Sequence, residues 1–159
     1  MENKKPTQFL MKPKVDFCFK ELMEDEEVRN AFLAAVLGIN PKEINESKIL
    51  PSHLRQKDKD DKLGILNFIM FDDEEYYSRF HFWSDKGRKL YSDKFEIHTL
   101  ELPKLAKHDY PETELLKWLQ FINAETEEEF EMAAEKSEYI KKAYEDLNRI
   151  SADEEKRLE

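Results

Sequence analysis

The chain has one cysteine, Cys18, which excludes an internal disulfide framework and any cysteine-based zinc site. Glycine is scarce at three residues and proline stands at six, so collagen-like repeats, glycine-rich linkers and proline-rich spacers are excluded as well. No apolar run approaches the roughly 20 residues that a membrane helix needs. The opening stretch, MENKKPTQFLMKPK, is basic but is not followed by the apolar core of a secretion signal. The expectation is a cytoplasmic chain without membrane partners. Nucleotide-binding glycine loops, the GxSxG elbow and the HExxH zinc motif are all missing.

What remains is a chain of 159 residues, 40% hydrophobic and 39% charged. The first figure permits one folded core; the second is well above the usual quarter and places much of the surface in water. The net charge of −10 is uneven. From Ala124 to Glu159 there are 13 acids against 6 bases, a local charge of −7. The other 123 residues carry 23 acids and 20 bases, or −3. No basic face of the kind that grips a phosphate backbone is evident. An acidic metal-dependent nuclease remains compatible with this balance, because such enzymes work through carboxylates.

The periodicity predicts a loose lead-in over 1–13, a helix starting near Asp16, and a second helix from Glu26 to Leu37 closed by Gly38 and Pro41. Lys48–Leu50 reads as a short strand. LGILNFIMF, Leu63–Phe71, is nearly all apolar and reads as a central strand buried on both faces, with Asn67 as its one polar side chain. Arg79–Trp83 and Phe95–Leu102 read as a hairpin turned at Asp85–Gly87. Leu115, Leu116, Trp118, Leu119 and Ile122 mark another helix, and further helices cover Glu127–Lys136 and Glu138–Arg149. Ser151 with Glu154 and Glu155 reads as a capping box opening a last short helix. The fold class is therefore α+β, with a mixed core over 14–111 and an acidic helical region over 112–159.

Chemistry is thinly signalled. His53, His81, His98 and His108 are scattered, although His81 and His98 can face each other across the hairpin. Asp58, Asp60 and Asp61 precede the apolar strand, and Asp72, Asp73, Glu74 and Glu75 follow it. Such loops can hold a hard cation but are more often solvated. Cys18 lies in an apolar helical context and reads as a buried small hydrophobe. The sets Phe17/Phe19 and Phe80/Phe82/Trp83 read as core.

KPKVDFCFKELMEDEEVRNAFLAAVLGI resembles the opening of the bacterial PD-(D/E)XK nuclease family transposases, the Rpn recombination-promoting nucleases. Asp16, Phe17, Phe19, Lys20, Leu37 and Gly38 carry the match. DDKLGIL at 60–66 is similar to the family's Asp-Lys-x-x-Ile-Leu-Asp strand. The stretch from Asn67 to Leu105 is similar to a later block, through Tyr77, Phe82, Glu96, Ile97 and Glu101–Lys104. The resemblance implies a truncated restriction-endonuclease-like core: a small mixed sheet flanked by helices, with a helical C-terminal extension.

The family implies a Mg²⁺-dependent DNA endonuclease associated with recombination. Asp16 and Asp61 occupy family positions and are the candidate catalytic remnants. The family's metal-binding acid at the strand end is replaced by neutral Asn67, and its Glu-x-Gln strand and the helix after it are absent. The resemblance therefore implies a shortened, catalytically impaired member, for which no bound metal is expected and DNA binding is weak or lost. Two alternatives stand beside it. One is a retained nuclease, completed by Asp58, Asp60 or Asp61 or by a homo-oligomer. The other is a non-enzymatic module that pairs with a full-length relative.

Overall fold

A computed structural model describes residues 9–49 and 62–158. Their elements are α1 (Asp16–Leu22), α2 (Glu26–Leu37), β1 (Lys62–Leu66), β2 (Tyr77–Phe80), β3 (Ile97–Glu101), α3 (Glu114–Asn123), α4 (Glu127–Ala134) and α5 (Glu138–Leu158). Short 3-10 turns lie at Pro41–Glu43 and Leu102–Ala106. The chain divides into two compact units: Met1–Ile49 together with Pro111–Glu159, and Leu50–Tyr110. The fold class is α+β, as read from the sequence: five helices and a three-stranded mixed sheet, with helices at the C-terminus.

The first unit is helical. Asp25 caps α2 by accepting from the backbone N–H of Glu27 at 3.0 Å, which satisfies a donor the helix start leaves orphaned. Gly38 ends α2 in the left-handed region at φ 70°, where a side chain would be strained. Thr113 and Thr126 cap α3 and α4 in the same way, through Leu116 N and Glu129 N. Between these ends, helical spacing gathers the apolar residues on one face of each helix. A run of ring contacts, Phe19–Phe32–Trp118–Phe121–Phe130–Tyr144, passes through all five helices with centroids 5.7 to 6.2 Å apart.

The capping box expected at Ser151 does not form. α5 runs unbroken for 21 residues through it. Ser151 is buried on the same face as Ile140, Ala143, Leu147 and Ile150, and its Oγ accepts the backbone N–H of Met11 at 2.9 Å. The hydroxyl serves a distant strand of backbone rather than the start of a helix.

The second unit holds the sheet, in the order β1-β3-β2. β1 pairs with β3 in parallel, Leu66 opposite Glu101, and β2 pairs with β3 antiparallel, Arg79 opposite His98. The expected hairpin is present, with its ladder shifted to Tyr77–Phe80 and Ile97–Glu101 and its turn at Asp85–Gly87. The expected central strand is not. β1 stops at Leu66 and lies at the sheet edge, while Phe68 and Met70 are each 58% exposed. The central strand is β3, with His98 through Glu101 all buried. The strand Lys48–Leu50 is also missing in its described part, since Lys48 and Ile49 are irregular; Leu50 lies outside the described residues.

Candidate functional site

The end of β1 decides whether the expected metal chemistry has a place. Asn67 follows Leu66 there, and Leu66 sits opposite Glu101 in the parallel ladder. Glu101 is the acid that register brings to this strand end. It is fully buried, and its carboxylate is already engaged. Oε2 accepts the backbone N–H of Met70 at 2.9 Å and of Phe71 at 3.2 Å. Oε1 accepts from Lys104 Nζ at 3.2 Å.

Lys104 is itself buried and also reaches Asp73 Oδ1 at 2.8 Å and the carbonyl of Glu75 at 3.0 Å. Burial works against its ammonium, but Asp73 and Glu101 outweigh that and move its pKa up. The hydrogen bond from Lys104 in turn holds Asp73 below the usual carboxylate range. β1 ends where its partner β3 passes into the 3-10 turn Leu102–Ala106. The backbone N–H groups of Met70 and Phe71 turn to a buried carboxylate instead of a strand neighbour. The loop that follows is then pinned by Lys104 and by the Tyr110 hydroxyl, which donates to the carbonyl of Glu74 at 2.6 Å.

A second polar cluster crosses the sheet. Side chains alternate along a strand, so Tyr77, Arg79 and His81 share a face with Leu100, His98 and Glu96. Arg79 donates to Glu96 Oε1, and His81 Nε2 lies 2.9 Å from the same oxygen. The Arg79 hydrogen bond is the main reason that Glu96 stays well below the usual carboxylate range despite its burial. Tyr77 Oη lies 2.8 Å from His98 Nδ1. His98 Nε2 lies 3.0 Å from Glu96 Oε2, off the line a hydrogen bond requires. The two histidines expected to face each other are therefore joined through Glu96. The alternation Tyr77-x-Arg79-x-His81 against Glu96-x-His98 is the sequence signal for this ladder, once the register is known.

The remaining candidates each have their own setting. Asp16 opens α1 in the helical unit, exposed and paired with Lys20 at 3.0 Å. Asp58, Asp60 and Asp61 lie outside the described residues. Cys18 is a free thiol, fully buried, and burial with the nearby Glu21 charge pushes its pKa up to about 12. Phe80, Phe82 and Trp83, expected in the core, stand exposed, as does Phe17.

Magnesium takes oxygen ligands in near-octahedral geometry, including one or two carboxylates. Among the described residues, no group of three or more His, Cys, Asp or Glu side chains is placed to hold a metal ion. Asn67 can offer only a neutral amide oxygen, and Glu101 is neutralised by Lys104. The described residues do not fit the ion. No helix among them is long and apolar enough to cross a membrane.

Comparison with known proteins agrees with the resemblance read from the sequence. The family model described as PD-(D/E)XK nuclease family transposase matches residues 63–159. No curated protein and no solved structure matches the chain. The family match spans both β1 with its Asn67 end and the Glu101–Lys104 turn, and continues through the C-terminal helices; the chain belongs to the PD-(D/E)XK nuclease family transposases.

Proposed function

We propose that this chain is a shortened member of its family in which metal-dependent DNA cleavage is impaired. The observation that supports this most directly is the end of β1. Hydrolysis of a phosphodiester in this manner needs anionic ligands to hold a divalent ion and to position the attacking water. The side chain there is Asn67, and Glu101, opposite the preceding residue, is buried with its oxygens bonded to two backbone N–H groups and to Lys104. Freeing Glu101 for a metal would unpin the loop after β1 and leave the buried Lys104 with Asp73 as its one remaining carboxylate partner. Asp16 and Asp61 are the remaining acids at family positions, and the absent Glu-x-Gln strand leaves them without the rest of the ligand set.

A plasmid-nicking assay with Mg²⁺ or Mn²⁺, run beside an EDTA control, tests this reading. The expected result is no metal-dependent nicking. Nicking that EDTA removes and that Asp61→Ala also removes would show that cleavage is retained.

A further inference from the structure

The hairpin between β2 and β3 is locally basic and exposes its rings. From Arg79 to Lys94 it carries five bases, Arg79, Lys86, Arg88, Lys89 and Lys94, against two acids, Asp85 and Asp93. This local +3 sits in a chain of −10. Arg79 is paired with Glu96. Among the described residues, Lys86, Arg88, Lys89 and Lys94 take part in no ion pair, although all four are exposed. In the helical unit Lys14, Lys20, Lys117, Lys136 and Lys142 each meet a carboxylate, whereas Lys42, Lys141 and Lys156 are scattered singly over it.

The same hairpin carries exposed rings, of which Phe82 also packs on Phe95 at 4.8 Å. Phe82 is 49% exposed, Trp83 54% and Tyr91 84%. Trp83 pairs with Leu90 across the ribbon, and the Tyr91 N–H donates to the Phe82 carbonyl at 2.8 Å. Side-chain alternation then places Trp83 and Leu90 on one face, and Phe82 and Tyr91 on the other. Each face of the ribbon thus carries an exposed aromatic ring, and the four unpaired cations lie within the same sixteen residues.

We propose that the 79–94 hairpin is a docking surface for single-stranded nucleic acid. Open rings stack on unpaired bases, whose π-faces are available only when the strand is single, while the cations neutralise phosphates. A duplex hides those faces and can use the cations alone. A second copy of this chain is the poorer occupant, because a two-fold pairing of this patch sets its unpaired cations against their own images. The proposal stands apart from the loss of cleavage, since none of its residues touches Asn67 or Glu101 in the contacts described above.

The test uses the full chain in EDTA with a fluorescent oligothymidylate of about 20 nucleotides and a duplex of the same length, followed by anisotropy and tryptophan emission. Trp118 is buried in the helical unit, so quenching on binding reports Trp83. The expected result is saturable binding of the single strand in preference to the duplex, weakening steeply between roughly 50 and 200 mM salt. Trp83→Ala should weaken it about tenfold. Trp83→Phe should preserve binding and abolish the quench, and Lys86→Glu with Lys89→Glu should weaken binding by at least as much as Trp83→Ala. No binding at low salt would overturn the proposal, as would equal affinity in Trp83→Ala and the charge reversals. Self-association that Trp83→Ala abolishes, without oligonucleotide binding, would assign the patch to a second copy instead.

Discussion

Lys104 Nζ lies 3.2 Å from each carboxylate oxygen of Glu101, with both side chains withdrawn from water. An ion pair so placed is held by its surroundings: two backbone N–H groups complete Glu101, and Asp73 with the Glu75 carbonyl completes Lys104. Removing one partner leaves the other charge uncompensated. Lys104→Met is therefore expected to lower the melting temperature more than the double change Lys104→Met/Glu101→Gln. Glu101→Gln alone should speed amide exchange at Met70 and Phe71 by about tenfold, because a neutral acceptor holds those N–H groups less firmly. Thermal melts and hydrogen-exchange mass spectrometry measure the two effects.

Asp25 and Asp146 form a carboxyl pair between the start of α2 and the middle of α5. Burial and the Asp25 charge raise Asp146 to about 6. Burial pushes Asp25 upward too, but the Asp146 hydrogen bond, the Val28 N–H and Lys142 together bring it down. Lys142 also meets Glu27, and Arg149 lies 4.0 Å from Asp146. A carboxyl raised on folding binds more protons in the native state, so stability from Asp146 falls as pH rises from about 4 to about 6. Below the ordinary Asp range the depressed Asp25 acts in the opposite direction. Asp146→Asn should therefore flatten the fall in melting temperature between pH 5 and 7, with its largest stabilisation at the upper end. Melts of both proteins across that range check the sign.

Cys18 has no exposed surface, and its thiol pKa lies near 12. The thiolate is the reactive species, so alkylation of the native protein at neutral pH should be slower than that of a free thiol by at least a hundredfold. In denaturant the reaction should reach one equivalent at the rate of an unfolded cysteine. Fast native labelling would show that α1 opens readily.

Two glycines should respond with opposite signs. Gly38→Ala finds no atom within 4 Å, but its φ of +70° disfavours a side chain, and a loss of about 1 kcal/mol is expected. Gly64→Ala, in β1, meets the His98 carbonyl and Leu66 at 3.9 Å, an ordinary contact, and has no positive φ. It should be neutral or stabilising by up to about 1 kcal/mol through the unfolded chain. Urea unfolding of both variants provides the comparison.

The parts of the fold legible in the sequence are those decided locally. α2 is announced by helical spacing and by Gly38, all within fifteen residues of chain or fewer. The misread parts are decided by partners far away. Ser151 looks like a cap until Met11, 140 residues distant, is found on its hydroxyl. Leu63–Phe71 looks like one buried strand until Glu101, 30 residues beyond Phe71, takes the N–H groups that would extend the ladder. The site divides in the same way. Asn67 is legible as a neutral residue in an apolar run, whereas the Glu96 ladder depends on a register that spacing alone does not specify. The exposed rings of the hairpin were mistaken for core because aromatic content says nothing of which side faces water.

The helical unit is assembled from the two flanks of the sheet unit, so its halves are made at different times. α5, which packs on α1 and α2, is synthesised about a hundred residues after α2 ends. At ribosomal speeds of about 5–20 residues per second that is a wait of some 5 to 20 seconds. During it α1 and α2 have each other through Phe19 and Phe32, and then α3 through Trp118, but the apolar surface that α5 covers waits for the last long helix to emerge.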